Sequence, residues 1–278
     1  MMVMILAYPE VSANAVRRAV RVWGNEIVPG LFPYMILIRY LVSALRSSPI
    51  PYPLMIGLLG LIGGAPSGAT LISDYARSYD FHSKTLRALC ALTGTISPMF
   101  LFTVAGGWLG NSKRTILLMV SHYLGAAAAA SIVFALTAER ATVFEYAPQH
   151  RSSQNVAESV IASSIQSVLG IGGCIVFFSS ISAVSQTLLP SLPASLSAFS
   201  SAALEISGGL RNVIRACTSE NLSDILCAAA CGFSGMSMIA QNHLLLKDCG
   251  IRFGQLVIYG IIRALFSCIT MLLLKLLG

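Results

Sequence analysis

The chain alternates between long apolar runs and short polar gaps. Runs of the length that crosses a bilayer, about 20 residues each, recur near Ile27–Leu45, Tyr52–Ile72, Leu86–Leu109, Thr115–Leu136, Ala157–Ala183, Ala194–Gly209, Asp224–Leu246 and Leu256–Leu277. They are continuous and lack the apolar/polar alternation of a membrane β-strand. The pattern predicts an all-α, polytopic membrane protein.

Composition supports this. Hydrophobic residues make up 55% and charged residues 10% of the chain, against about 25% charged in soluble domains. The N-terminal stretch Met1–Glu10 has too short an apolar segment and no basic start, so no cleavable signal peptide is expected. The net charge of +7 is spread over many loops, and no nucleic-acid partner is expected. Arg17, Arg18 and Arg21 precede the first run, and Arg77, Lys84 and Arg87 follow the second. The positive-inside rule puts both flanks in the cytoplasm, with Lys113 and Arg114 on the other side of that count. The seven cysteines form no C-x-x-C pair. Cys227 and Cys231 share a helix face without a nearby histidine, so they read as packing residues, and no metal or cofactor is expected.

Two halves emerge, residues 16–137 and 157–278, joined by a polar linker at 138–156. Asn25–Leu41 and Ile165–Ile181 line up without gaps. Gly63–Thr70 (GGAPSGAT) lines up with Cys231–Met238 (CGFSGMSM), matching Ser67–Gly68 to Ser234–Gly235. Both places are expected to depart from regular helix near mid-membrane.

The small-residue motifs carry the candidate chemistry. Pro66 breaks or kinks a helix, while Gly64 and Gly68 let the backbone open. An opened helix in a bilayer survives where protein or a water-filled cavity satisfies it, the arrangement of many transporter sites. A half-helix that starts at such a break aims N–H groups into the gap, and the Ser67 hydroxyl adds another polar group. A second break is expected where Thr93, Thr95 and Ser97 precede Pro98, and a third at Ser234–Gly235. Close helix packing is the competing reading, because Gly64 and Gly68 also have small-xxx-small spacing. Glu205, Gln241 and Asn242 are costly polar groups inside apolar runs and join the candidate path. Glu205 either lines that path or pairs with Arg211 or Arg215. His122 is expected to bond a neighbouring helix, and Arg39 and Arg263 to snorkel.

The ordered motifs GGAPSGA, SPMFLF, HYLGA, SIQSVLGIGGCIVFFS, LEISGGL and GFSGMSMIAQNHLLLKDCGI resemble the YlbJ family of sporulation integral membrane proteins, in the nucleoside-recognition or Gate domain group. The resemblance runs from about Val16 to Leu277. It implies a transport-like Gate architecture and a role in endospore formation, particularly of the spore cortex. The chain departs from the family at Thr93-Gly94-Thr95, where an Asn-rich element would stand.

The resulting expectation is a transporter or gate for a small polar solute in the membrane of a sporulating bacterium. The alternative is a membrane scaffold for other sporulation proteins that translocates nothing. Partners expected are membrane lipid, the solute and other sporulation membrane proteins, with the oligomeric state left open. No Ser-His-Asp set, H-E-x-x-H or paired-carboxylate motif supports an enzyme. No G-x-x-x-x-G-K-[ST] supports ATP binding.

Overall fold

The computed structural model describes residues 6–44, 51–76, 81–138, 141–142, 156–188 and 191–277. Most of the predicted linker 138–156 lies outside the described residues, as does Arg77.

A long N-terminal rod opens the fold. Helix α1 (Pro9–Val22) passes through a π-helical turn (Trp23–Ile27) into α2 (Val28–Ala44). The rod lies antiparallel to α8 (Val156–Leu188). Ser12 and Ser180 hydroxyls sit 2.6 Å apart, and the Trp23 indole donates to the Val168 carbonyl at 3.2 Å. Arg39 donates to the hydroxyls of Ser163 and Ser167. It is therefore held against a helix where the sequence suggested snorkelling.

The second predicted run is not one continuous helix. It forms α3 (Tyr52–Gly63) and α4 (Ser67–Ala76), which fold back on each other as a hairpin. At its open end the rings of Tyr52 and Tyr75 stack at 4.7 Å. A Cβ on Gly60 would lie 3.3 Å from the Gly68 Cα. The run Ala194–Gly209 behaves the same way. Helices α9 (Ala194–Leu204) and α10 (Ile206–Ala216) form a second hairpin, with Gly209 pressed on the backbone of Ser201 and Ala202.

Each hairpin is followed by a broken span. Helix α5 (Ser83–Thr93) stops, Gly94–Ser97 runs without helix, and the chain resumes through a π-helical turn (Phe100–Ala105) and α6 (Gly106–Leu109). In the second case α11 (Glu220–Phe233) and α12 (Met236–Leu246) are separated by Ser234–Gly235. A straight span then follows: α7 (Ser112–Leu136) and α13 (Phe253–Leu277), 25 residues each.

The two straight spans run antiparallel. Asp224 holds Arg114 near the start of α7 and Lys275 near the end of α13, at 2.8 and 2.6 Å. Halfway along, Gly125 faces the Arg263 carbonyl and Ser267. The hairpins enter from opposite ends. The first opens where Leu246, Cys249 and Tyr259 pack with Tyr52 and Tyr75. The second opens where Val213 and Cys217 pack with Leu109 and Ile225, toward the Asp224 end.

By length and composition, Ser112–Leu136, Val160–Leu188, Glu220–Cys249 and Phe253–Leu277 can cross a bilayer. The protein is a multi-pass helical membrane protein. Leu124, Ile261 and Leu265 are more than half exposed on the outer faces of the straight spans (52%, 54% and 60%), as lipid contact requires.

One offset relates the elements. Ser112–Leu136 shifted by 141 residues is Phe253–Leu277, end for end. The same shift carries α3 onto α9 and α4 onto α10 within two residues, and Thr93–Gly94 onto Ser234–Gly235. The motif pairing expected from sequence is therefore corrected. Ser67–Gly68 corresponds to Gly208–Gly209 in the second hairpin, and the partner of Ser234–Gly235 is Thr93–Gly94. The charge count changes too. With the first hairpin returning to its own side, Lys84 and Arg87 lie at the end opposite Arg18, and Arg114 joins Arg18 at the Asp224 end.

Candidate functional site

The four interruptions meet at the centre. At the first hairpin tip, Gly64 has φ +63° and a Cβ there would lie 2.5 Å from the Ser97 amide nitrogen. Glycine alone fits both the conformation and the space. The Ala65–Pro66 peptide is cis. The Ala65 N–H donates to the Thr95 carbonyl at 2.6 Å, which ties the tip to the first broken span.

That span's non-helical segment is held from several sides. Gly94 O accepts from the Ser234 hydroxyl at 3.2 Å. Ile96 N–H donates to His122 Nε2 at 3.2 Å, and Ile96 O accepts from the Tyr123 hydroxyl at 2.9 Å. Ser97 Oγ accepts from the Phe100 N–H at 3.3 Å. Pro98 opens the following helical turn, where its missing N–H would have been unpaired anyway. A bilayer offers no water to these groups, so protein must satisfy them.

Arg263, 2% exposed, donates to Gly232 O and Ala91 O, both at 3.1 Å. These carbonyls belong to the last turns of α11 and α5, which lack intrahelical donors. The guanidinium also complements the negative helix ends. Burial at mid-span corrects the expectation that Arg263 snorkels.

The second hairpin turns at Glu205. Its carboxylate accepts from the N–H groups of Ser207 and Gly208, both at 2.8 Å, capping α10. Among the described residues no ion pair joins it to Arg211 or Arg215, so that alternative falls. Ser234 takes a left-handed conformation at φ 71°, uncommon for a residue with a side chain. A Cβ on the neighbouring Gly235 would lie 3.2 Å from Ala202 O and Ile206 N. The second break thus abuts the second hairpin tip.

Beside this junction lies a cavity of about 210 Å³. Of the residues expected on a path, Pro66, Ser97, Glu205 and Gln241 line it. Gln241 donates to the Ser237 hydroxyl at 3.2 Å. The remaining predicted residues, Pro98 apart, are buried in the packing around the breaks. Gly68 packs against Thr93, and Thr93 donates to Leu89 O at 3.0 Å. Ser67 Oγ, Thr95 Oγ1 and Asn242 Oδ1 are buried without hydrogen-bond partners among the described residues.

Sequence reasoning missed Glu26, Tyr34, Phe100 and Trp108, which also line the cavity. Glu26 sits in the first π-helical turn and Phe100 opens the second. Such turns concentrate at functional sites, but nothing in the local residue pattern announces them. A second cavity of about 330 Å³ adjoins the first toward the Asp224 end, lined by Arg18, Arg211, Asn212 and Arg215. Among the described residues no cluster of three metal-ligating side chains occurs, and Cys227 and Cys231 are buried packing residues.

The chain is similar to the sporulation integral membrane protein YlbJ of Bacillus subtilis (strain 168). The two are 23% identical over 324 aligned positions, covering 97% of this chain and 79% of YlbJ. The resemblance to YlbJ drawn from the ordered motifs therefore extends over nearly the whole chain. No family model matches the chain. No solved structure matches it.

Proposed function

We propose that this protein moves a small polar solute across a membrane of a sporulating cell, as part of spore cortex formation. The observation that carries this reading is the meeting of two oppositely entering hairpins and two broken spans beside a cavity of about 210 Å³. Inverted halves with interrupted helices at mid-depth are the architecture of many secondary transporters. We take 16–137 and 157–278 as those halves, with 138–156 as linker and a Gate-type arrangement of the interruptions. The sporulation setting comes from the name of YlbJ. The competing scaffold reading needs the packing around the breaks but has no use for a cavity.

The test is a solute-accumulation screen in vesicles carrying the purified protein, repeated with Ser97→Leu and Gln241→Leu, which fill the cavity. Both variants should reach the membrane at normal levels, abolish accumulation and fail to support spore maturation. Gly68→Leu and Ser234→Leu are less discriminating, because those positions are buried in that packing. Normal spores from both cavity variants, with failure on Gln149→Ala or Gln154→Ala outside the described residues, would establish the scaffold reading instead.

A further inference from the structure

The two cavities share six lining residues: Val22, Glu26, Trp108, Ile175, Glu205 and Ser207. These form a neck between the outer vestibule at the Asp224 end and the central cavity. We infer that this neck is an internal gate and that the Trp108 ring is its moving part. The inference rests on the reading of the cavities as a solute path.

The carrier of Trp108 is anchored on one face, by Ala105 and Leu109, and leaves the indole free to turn on the other. The ring sits on α6, a single four-residue turn. Gly106 and Gly107 precede the tryptophan within that turn, and Gly110 follows the turn with φ +62°. A Cβ at Gly107 or Gly110 would meet nothing within 4 Å, whereas one at Gly106 would lie 2.9 Å from Thr115, so this turn is held on the face of Gly106 and Leu109 and open on the other. The π-helical turn Phe100–Ala105 lies directly upstream. Loop and helix-end residues of this kind absorb the backbone changes of gating.

The opposite wall is firm. Glu205 is 5% exposed and locked by two N–H donors, and Ile175 is 3% exposed. Trp108 is half-buried and touches Phe100 edge-on, with ring centroids 6.2 Å apart. Rotation of the indole away from Glu205 would widen the neck and leave the Glu205 cap in place. The neck would then set the size of solute that passes inward.

Thiol accessibility tests this without knowledge of the solute. Ser97→Cys reports the central cavity and Asn212→Cys the vestibule, in a full-length protein whose Cys174, Cys217 and Cys268 are replaced by serine. A bulky, membrane-impermeant maleimide is applied from the Asp224 face of reconstituted vesicles. The cysteine at 97 should react about tenfold more slowly than that at 212, and Trp108→Ala should raise only the former, by about tenfold. Trp108→Phe should fall between, and it decides the matter if Trp108→Ala fails to reach the membrane. A rate at 97 indifferent to both substitutions overturns the gate and leaves the path intact. Equal acceleration at 97 and 212 also overturns it, because the mouth then controls access. A cysteine at 97 that never reacts in any variant, from either face, removes the path and the gate together.

Discussion

His122 and Arg263 occupy the same position in two antiparallel 25-residue helices, and each holds backbone that a neighbouring helix has released. His122 accepts the Ile96 N–H within one break, while Arg263 donates to the carbonyls of Ala91 and Gly232 just before both. The acceptor serves a freed donor and the cation serves freed acceptors. The identities differ because the orphaned groups differ.

Replacing Arg263 by Met should therefore destabilise more than replacing His122 by Phe. Interhelical hydrogen bonds in membranes contribute about 0.6 to 1.7 kcal/mol each. The loss should be about 1–3 kcal/mol for the two bonds of Arg263 and about half that for His122. Thermal melting of the purified protein in detergent checks the order, which fails if His122→Phe is the more damaging.

Gly64→Ala should lower the yield of folded protein sharply. The new methyl would need a disfavoured φ and would collide with Ser97, costing about 1–3 kcal/mol in strain alone. Gly107→Ala meets nothing and should stay within about 0.5 kcal/mol of the parent on the surface-substitution scale. Size-exclusion profiles of the two variants separate these outcomes.

Asp224 is buried at the junction of three helices, while Glu220, which also touches Arg114, is 76% exposed at its side chain. Asp224→Asn leaves Arg114 and Lys275 without their shared carboxylate, and breaking a buried pair costs about 3–5 kcal/mol. Glu220→Gln should change stability by less than about 1 kcal/mol. Melting curves should show a large fall for the first and little change for the second.

Glu205→Gln keeps an oxygen acceptor for the Ser207 and Gly208 N–H groups, whereas Glu205→Ala leaves both unpaired. The alanine variant should lose about 1 kcal/mol, a typical cap contribution, and the glutamine variant less. Hydrogen exchange at Ser207 and Gly208 should rise in the alanine variant first. Equal protection in both would show that the cap does not hold the hairpin tip.

Three interruptions were legible because their causes are local. Pro66, Pro98 and the Ser234–Gly235 pair each disturb a helix by their own chemistry. The break at Glu205 was not, since Leu204–Ile206 reads as ordinary helix. Tertiary contact with Gly235 and capping by the carboxylate place it there. Nor could the runs Tyr52–Ile72 and Ala194–Gly209 reveal that they turn back. An apolar stretch with a central weak point has one composition whether the chain continues or reverses. The alignment of Asn25–Leu41 with Ile165–Ile181 lies one residue from the structural offset. The repeat was mispaired at the glycine motifs because the Gly64 position holds Glu205 in the other half.

Each of the two related sets of elements runs the length of the bundle three times, since its hairpin returns to the end it entered. An odd number of passages delivers the chain to the far surface, so the second half must be threaded upside down. Parity, and no particular side chain, thus dictates the antiparallel placement of His122 and Arg263. Adding or removing one passage in the first half would leave two copies pointing the same way, their hairpins entering from one surface and their tips no longer opposed.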